Sequence, residues 1–241
     1  MTFREYEYKG IKLELANSFD PIPLDGIVAE LHADYNIIDK IDHQEGDVII
    51  DIGAHCGVIT CFFAKLLPNV KIYSYEPFPR NYDALIKNIE KNNINNVVTS
   101  NLAIAGEVRD NNQMIQHDGN TGGSTFCISD PSIEGTFYEE GLPGHIGATV
   151  KSVTLDNVFE YNNIKQCKML KIDCEGAEHE IFEAFSFNYP IEHLIGEFHL
   201  NDYLVSKGYT FHKLKKALAD HGIDPIKRGY NWPICVPFAN Y

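Results

Sequence analysis

The stretch Asp47-Val48-Ile49-Ile50-Asp51-Ile52-Gly53-Ala54-His55-Cys56-Gly57 decides how the rest of the chain is read. Asp47 to Ile52 is a nearly continuous apolar run, the pattern of a short strand covered on both faces. Gly53 and Gly57 bracket a turn, and a helix runs from Gly57 to about Leu67, where Pro68 stops it. The same alternation continues outward. Val70 to Tyr75 reads as a second strand ending at Glu76-Pro77, Asn81 to Asn92 as a second helix, and Val97-Val98-Thr99 as a third strand. Cys167 to Asp173 and Glu192 to Phe198 read as fourth and fifth strands, separated by a helix over Glu178 to Phe185. Strands alternating with helices predict a parallel α/β sheet with right-handed crossovers.

The flanks are less regular. Phe3 to Leu15 alternates around Gly10, which predicts a hairpin turning near Lys9-Gly10, and a helix is expected from about Ile27 to Ile41. Residues 1–44 are therefore expected to form a cap on a core spanning 45–241. Residues 104–150 hold eight glycines and little helical period, and read as an insertion of irregular strands and long loops. Thr149 to Leu155 returns to strand-like alternation, followed by a short helix from Asp156 to Tyr161. Tyr203 to His221 reads as one helix ended by Gly222, and the tail from Ile223 as a closing antiparallel pair.

Composition narrows the class. The chain has 241 residues, 44% hydrophobic and 22% charged, enough for a full globular core. There is no run of 18 apolar residues, and Met1 to Lys12 lacks the apolar centre of a secretory signal, so a membrane span is not expected and a cytoplasmic location is. The formal charge of -14 and the lack of a dense basic run argue against nucleic acid and anionic membranes as partners. A neutral or cationic small molecule fits better. The six cysteines form no CxxC pair and read as buried free thiols.

Two features at strand ends point to a nucleotide-like ligand. The Gly53-to-Gly57 turn opens a helix whose first N–H groups and positive end suit a carboxylate or a phosphate. Glu76 follows the adjacent strand, where an acid can accept from two ribose hydroxyls. Gly53-x-x-x-Gly57 lacks the first two glycines of a dinucleotide fingerprint, so S-adenosylmethionine is favoured over NAD, which stays open on this ground alone.

Three blocks then carry a resemblance: Val48 to Gly57, Tyr73-Ser74-Tyr75-Glu76-Pro77-Phe78-Pro79, and Leu170-Lys171-Ile172-Asp173-Cys174-Glu175-Gly176-Ala177-Glu178. Together, in this order, they resemble the FkbM family of class I methyltransferases over about residues 45–200. Asn101-Leu102-Ala103 and Thr154-Leu155-Asp156 match shorter signatures. The resemblance implies an α/β, Rossmann-like fold with a mostly parallel seven-stranded sheet, helices on both faces and an inserted strand and loop region. It implies S-adenosyl-L-methionine as cofactor. Asp51, Gly53, Ala54, His55 and Gly57 would form the cofactor turn, Glu76 and Pro77 would hold the ribose, and Asn101, Leu102 and Ala103 would lie beside the adenine. His55 stands where the family usually has Asn, so its tautomer, and with it the pH, is expected to matter.

Methyl transfer to a hydroxyl needs an aligned acceptor and a base. Asp173 and Glu175 follow the fourth strand, with Asp173 also expected to touch the cofactor; Glu178 reads only as a first-turn acid complementing the helix dipole. Glu197 and His199 leave the fifth strand on one side, and His199 is the leading base candidate. Lys171, alone in an apolar strand, is expected to pair with an acid such as Asp173 or Glu197. Convergence of Asp173, Glu197 and His199 would give a divalent-metal site, but the reading without metal is preferred. Gly122 to Thr125 is expected to fold over the rim, and His117, Tyr138, His145 and Trp232 are candidate pocket residues. The expected function is an O-methyltransferase acting on a hydroxyl of a sugar or secondary metabolite. A peptide-amide N-methyltransferase and a non-catalytic cofactor-binding subunit are the alternatives. The oligomeric state is not legible.

Overall fold

The computed structural model describes residues 1–19, 22–117, 120–125, 145–200, 202–223 and 234–237. The chain opens with an antiparallel hairpin of β1 (Arg4–Tyr8) and β2 (Ile11–Leu15), turned by Lys9 and Gly10, both at positive φ. Then comes α1 (Asp25–Ala33) and a separate 3-10 turn over Asn36–Lys40. The single helix expected over 27–41 is thus divided. The Asn36 side-chain amide donates to the carbonyls of His32 and Ala33, satisfying the last turn of α1 and ending it there.

The core follows as β3 (Val48–Ile52), α2 (Val58–Leu66), β4 (Lys71–Tyr75), α3 (Pro79–Lys91) and β5 (Val97–Ser100). Then come β6 (Ala103–Ile104), β7 (Arg109–His117), β8 (Asn120–Thr125) and β9 (His145–Val153), followed by α4 (Leu155–Tyr161) and β10 (Cys167–Ile172). The chain continues with α5 (Glu178–Ala184), β11 (Ile191–Leu200), α6 (Asp202–Ser206), α7 (Phe211–Asp220) and β12 (Ile234–Pro237). The helix expected over 203–221 breaks in two around Gly208, whose φ of +84° lies in the left-handed region.

Among the described residues six strands form the central sheet in the order β12-β11-β10-β3-β4-β5, and every neighbouring pair is parallel. The expected count of seven is thus not exact, and the described part of the tail, β12, joins β11 parallel; the rest of the expected closing pair lies outside the described residues. The chain leaving β11 passes through α6 and α7 before β12, a crossover that returns the edge strand parallel. The expected irregular insertion is likewise a second sheet, ordered β6-β9-β7-β8, in which β7 pairs antiparallel with β8 and β9.

Helices cover both faces, as the apolar alternation requires. Ile49, Ile72 and Met169 pack on one side with α1, α2 and the hairpin residues Tyr8, Leu13 and Leu15. Ile50, Ile52, Leu170 and Ile172 pack on the other with α4, α5 and α7. Strand order reverses between β3 and β10, so their carboxyl ends diverge into a crevice, the place where open α/β sheets bind ligands.

Two contacts fix that crevice. Gly196 in β11 runs so close to β10 that a Cβ there would sit 1.7 Å from the Ile172 carbonyl oxygen. Lys171 and Asp51, cross-strand partners in β10 and β3, form a buried ion pair at 3.2 Å. Gly196→Ala is expected to lower stability by about 2 kcal/mol or more, since backbone must move. Lys171→Met, which strands the Asp51 charge, is expected to cost about 3–5 kcal/mol, and adding Asp51→Asn should recover part of it. Urea midpoints of the three proteins measure both effects.

Candidate active site

A cavity of about 350 Å³ lies at the switch point. At one end it is walled by Gly53, Ala54 and His55 after β3, by Glu76 and Pro77 after β4, and by Leu102, Ala103 and Ile104. At the other end stand Asp173, Cys174 and Glu175 after β10, with Glu197 of β11. The N-terminal region closes it with Asn17, Ile22, Pro23, Gly26, Ile27 and Glu30, and the inserted sheet reaches it through Met114 and Gly122.

The turn after β3 uses its own N–H groups. Gly53 and Ala54 both donate to the Tyr75 carbonyl at 3.0 Å, and His55 N–H donates to Glu76 Oε2 at 2.8 Å. The glycines answer packing: a Cβ on Gly53 would meet the Asp173 carbonyl oxygen at 1.7 Å, and one on Gly57 would meet Leu85 Cδ1 at 2.3 Å. The helix-end anion site expected from sequence is therefore spent on the fold at these positions.

Glu76 is buried, accepting from the N–H groups of His55 and Phe78 and, at 3.4 Å, from the Asn81 amide. Burial nevertheless pushes its carboxyl up to about 7. His55 sits at φ +54°, and burial, with Lys171 nearby, lowers it to about 4. Burial thus favours its neutral form.

Three expected cofactor residues lie behind the wall. Asp51 is buried under the turn, where Oδ2 accepts from Thr60 Oγ1 at 2.5 Å and Oδ1 faces Lys171. Asn101 bridges to the carbonyls of Glu76 and Pro77 at 2.9 and 2.8 Å, holding that loop. Gly57 caps α2 at φ +81°. Each shapes the wall from outside the lining.

At the rim, Glu178 is fully buried and accepts from the N–H groups of Cys174 and Gly176, both at 2.9 Å. It also meets His199 Nδ1 at 3.0 Å. Glu175 Oε2 and Glu197 Oε2 lie 3.6 and 3.8 Å from His199 Nε2. Burial alone would lower His199, but the hydrogen bond to Glu178 and the charges of Glu178, Glu175 and Asp173 raise it to about 10. His199 is thus an imidazolium at neutral pH and lies outside the cavity lining. The pull of these carboxylates on its proton argues against the expected role of His199 as a base. Burial raises Glu175 and Glu197 to about 7 each, the latter helped by the Asp173 charge. Burial also raises Asp173, against the pull of Lys171 and His199. Glu197 and Glu175 are therefore the rim groups poised to exchange a proton near neutrality.

Lys171 reaches Asp51 rather than Glu197, donates to the Gly53 carbonyl at 2.7 Å, and lies 4.0 Å from Asp173. For a metal, the trio whose ligand atoms fall within 4.8 Å of one another is Asp173, Glu175 and His199, not the set with Glu197. The side chains of His117, Ser124, Thr125 and His145, together with Tyr138 and Trp232, lie outside the described residues. Sequence reading missed Glu30, Ile27 and Asn17, which carry no motif, and took Glu178 for a helix-end acid only.

Residues 51–223, more than half of the chain, match the family model for the methyltransferase FkbM domain. The chain belongs to the FkbM methyltransferase family, and its cofactor is S-adenosylmethionine. It is 22% identical over 154 residues to Methyltransferase 1 of Beauveria bassiana strain ARSEF 2860, a match covering 61% of each protein. Among solved structures, precorrin-6y C5,15-methyltransferase from Geobacter metallireducens is 17% identical, covering 86% of this chain and 77% of that one, with a TM-score of 0.43. M. jannaschii TYW2 in complex with AdoMet is 23% identical, covering 41% of this chain and 42% of that one, with a TM-score of 0.31. The cavity fits the cofactor on its own chemistry: Glu76 brings carboxyl oxygens to it, Leu102 and Ala103 give it an apolar wall, and the carboxylates of the far rim suit a sulfonium charge.

The Glu178–His199 pair has a pH signature. The folded state raises His199 above its ordinary 6.5, so its contribution to stability is complete below that pH and fades as pH climbs through about 10. Glu178 is held below its ordinary 4.5, so its contribution is lost on acidification. Thermal melts between pH 7 and 10 are expected to fall more steeply for the wild-type protein than for His199→Gln.

Proposed function

We propose that this protein is an O-methyltransferase that transfers the methyl group of S-adenosylmethionine to a hydroxyl of a small molecule, a sugar or secondary metabolite. The observation that carries the reading is the single cavity that joins the Gly53–His55, Glu76–Pro77 and Leu102–Ala103 wall to a rim of proton-exchanging carboxylates. Glu76 would accept from the ribose hydroxyls with the lone pairs its N–H contacts leave, while Gly53, Ala54 and His55 would shape the seat of the amino-acid end. When bound, the cofactor supplies an activated methyl on a sulfonium.

The chain's own residues do the rest. Asp173 would orient the acceptor hydroxyl, and Glu197, raised to about 7, would take its proton as the oxygen lone pair forms the new O–C bond. The S–C electron pair stays on sulfur, so charge balances with one proton on Glu197. His199 would act as a positioning residue: its fixed positive charge steadies Glu175 and Glu197 and ties β11 to the start of α5 through Glu178. The cap and the inserted sheet would exclude water and shape the acceptor.

Glu197→Gln is expected to lower kcat by about 100-fold or more with donor Kd nearly unchanged, and to remove an acidic limb near pH 7 from the kcat profile. Glu76→Gln should instead weaken binding of S-adenosylhomocysteine by about 10-fold or more. Calorimetry for donor binding and labelled-methyl turnover on hydroxylated acceptors separate the two. Unchanged donor affinity in Glu76→Gln would remove the ribose assignment.

A further inference from the structure

Asn81 stands in the first turn of α3 and is 1% exposed, a place where a polar side chain is costly unless it is bonded. Its amide joins three separate parts of the chain. Oδ1 accepts from Ser18 Oγ of the N-terminal region at 2.6 Å and from Gln116 Nε2 of β7 at 3.1 Å. Nδ2 donates to Glu76 Oε1 at 3.4 Å. Asn81 lines the cavity, and Ser18 and Gln116 stand behind it. The His55 and Phe78 N–H groups that also bond Glu76 belong to backbone held by the turn after β3 and the start of α3. The amide is the bond to Glu76 whose direction a side chain sets.

Packing seats both covering parts at the same joint. Asn112, Met114 and Gln116 alternate along β7 and are all buried, the pattern of one inward face. Met114 packs with Phe78 and Ala103 and reaches the cavity. On the other side, Arg80 Nε donates to the Ser18 carbonyl at 2.9 Å. The two ends of an amide differ: its oxygen only accepts and its nitrogen only donates. With two donors on Oδ1 the amide is held from reversing, and Nδ2 faces the acid. Were both donors removed, the amide would turn more readily and set its oxygen against Glu76.

We infer that Asn81 is a positioning residue of the donor site: Ser18 and Gln116 set the direction of its amide, and the amide in turn holds the Glu76 carboxylate toward the ribose. The inference rests on the reading of Glu76 as the ribose acid. It adds that donor affinity depends on how the N-terminal region and the inserted sheet are seated. The same bond bears on the Glu76 proton. Burial raises that carboxyl to about 7, against the N–H groups of Phe78 and His55, the Asn81 amide and the Lys171 charge. Loss of the amide donor therefore moves protonation to higher pH. A protonated Glu76 is the weaker acceptor, so donor affinity is full above that pH and falls below it.

The test is calorimetry of S-adenosylhomocysteine on the full chain across pH 6 to 9. Asn81→Asp keeps an acceptor for Ser18 and Gln116 but puts an oxygen where Nδ2 stood. It is expected to weaken binding at pH 7 by about 10-fold and to move the acidic limb of the affinity profile upward from about 7. Gln116→Leu and Ser18→Ala, behind the cavity wall, should each weaken binding at pH 7 by about 3-fold and move the limb the same way. In a Glu76→Gln background each of these changes should alter affinity by less than about 2-fold. That background also subtracts Glu175 and Glu197, which titrate near the same pH across the cavity. Urea midpoints establish folding, and if Asn81→Asp does not fold, the two remote variants decide. Losses equal at every pH, losses that persist in the Glu76→Gln background, or unchanged affinity in all variants would overturn the inference and leave a structural amide. An effect confined to Asn81→Asp would overturn it too, since the covering parts would then not set the amide. Unchanged affinity in Glu76→Gln itself would instead overturn the ribose reading, and the inference with it.

Discussion

The buried ion pair between Lys171 and Asp51 is the constraint on which the rest of the molecule depends. It joins β10 to β3 at the one place where strand order reverses, and it does so on the inner face of the sheet, with both side chains 2% exposed. A charge buried there is tolerated only with a partner and with its remaining donors used. Asp51 is completed by Thr60 Oγ1, itself 3.1 Å from Ser74 Oγ, and Lys171 by the Gly53 carbonyl. The pair therefore does more than close two strands. It sets the height of the turn over β3 and leaves Asp173 at 4.0 Å, on the edge of the same positive charge.

A second balance of charge governs the rim. Glu178 is enclosed completely, yet two backbone N–H groups and the His199 imidazolium hold its carboxyl below the ordinary range. At the neighbouring Glu175 and Glu197 burial outweighs the His199 charge, and they move the other way. The rim thus separates like side chains into one held below the ordinary range and two raised toward neutrality. Environment, not residue type, makes that division. The left-handed backbone at Glu175, with φ +55°, belongs to the same tight turn and is the strain the rim tolerates to bring its acids together.

The cavity is assembled by three parts of the chain that share one joint. Asn88 on α3 and Asn92 at its C-cap present amides that bond both the N–H and the carbonyl of Ala16 and Glu14 respectively, standing in for a missing strand partner. Asn81, earlier on the same helix, accepts from Ser18 at 2.6 Å and from Gln116 of the inserted sheet at 3.1 Å, and reaches Glu76 at 3.4 Å. A single buried amide thus links the N-terminal region, the insertion and the acid after β4. The two parts with the least motif content are held against the wall of the site by the helix that follows β4.

The sequence by itself determined the sheet and the place of the site. Apolar runs over β3, β4, β5, β10 and β11, each closed by turn residues, follow from local chemistry, because a strand covered on both faces must be apolar throughout. The glycine turn, Glu76 and the Asp173 block were legible because they abut those strands. Edges were not: whether β12 joins parallel or antiparallel, and whether β7, β8 and β9 form a sheet, depend on partners distant in the chain. Nor were roles. His199 and Asp51 read as base and cofactor residue because both sit at the right strand ends, and the partners that bear on them, Glu178 and Lys171, are brought beside them only by folding. Glu30, which lines the cavity, has no motif at all. Position along a strand is a local property that a sequence carries, whereas protonation and charge compensation belong to a neighbourhood that exists only once the helices and strands have packed.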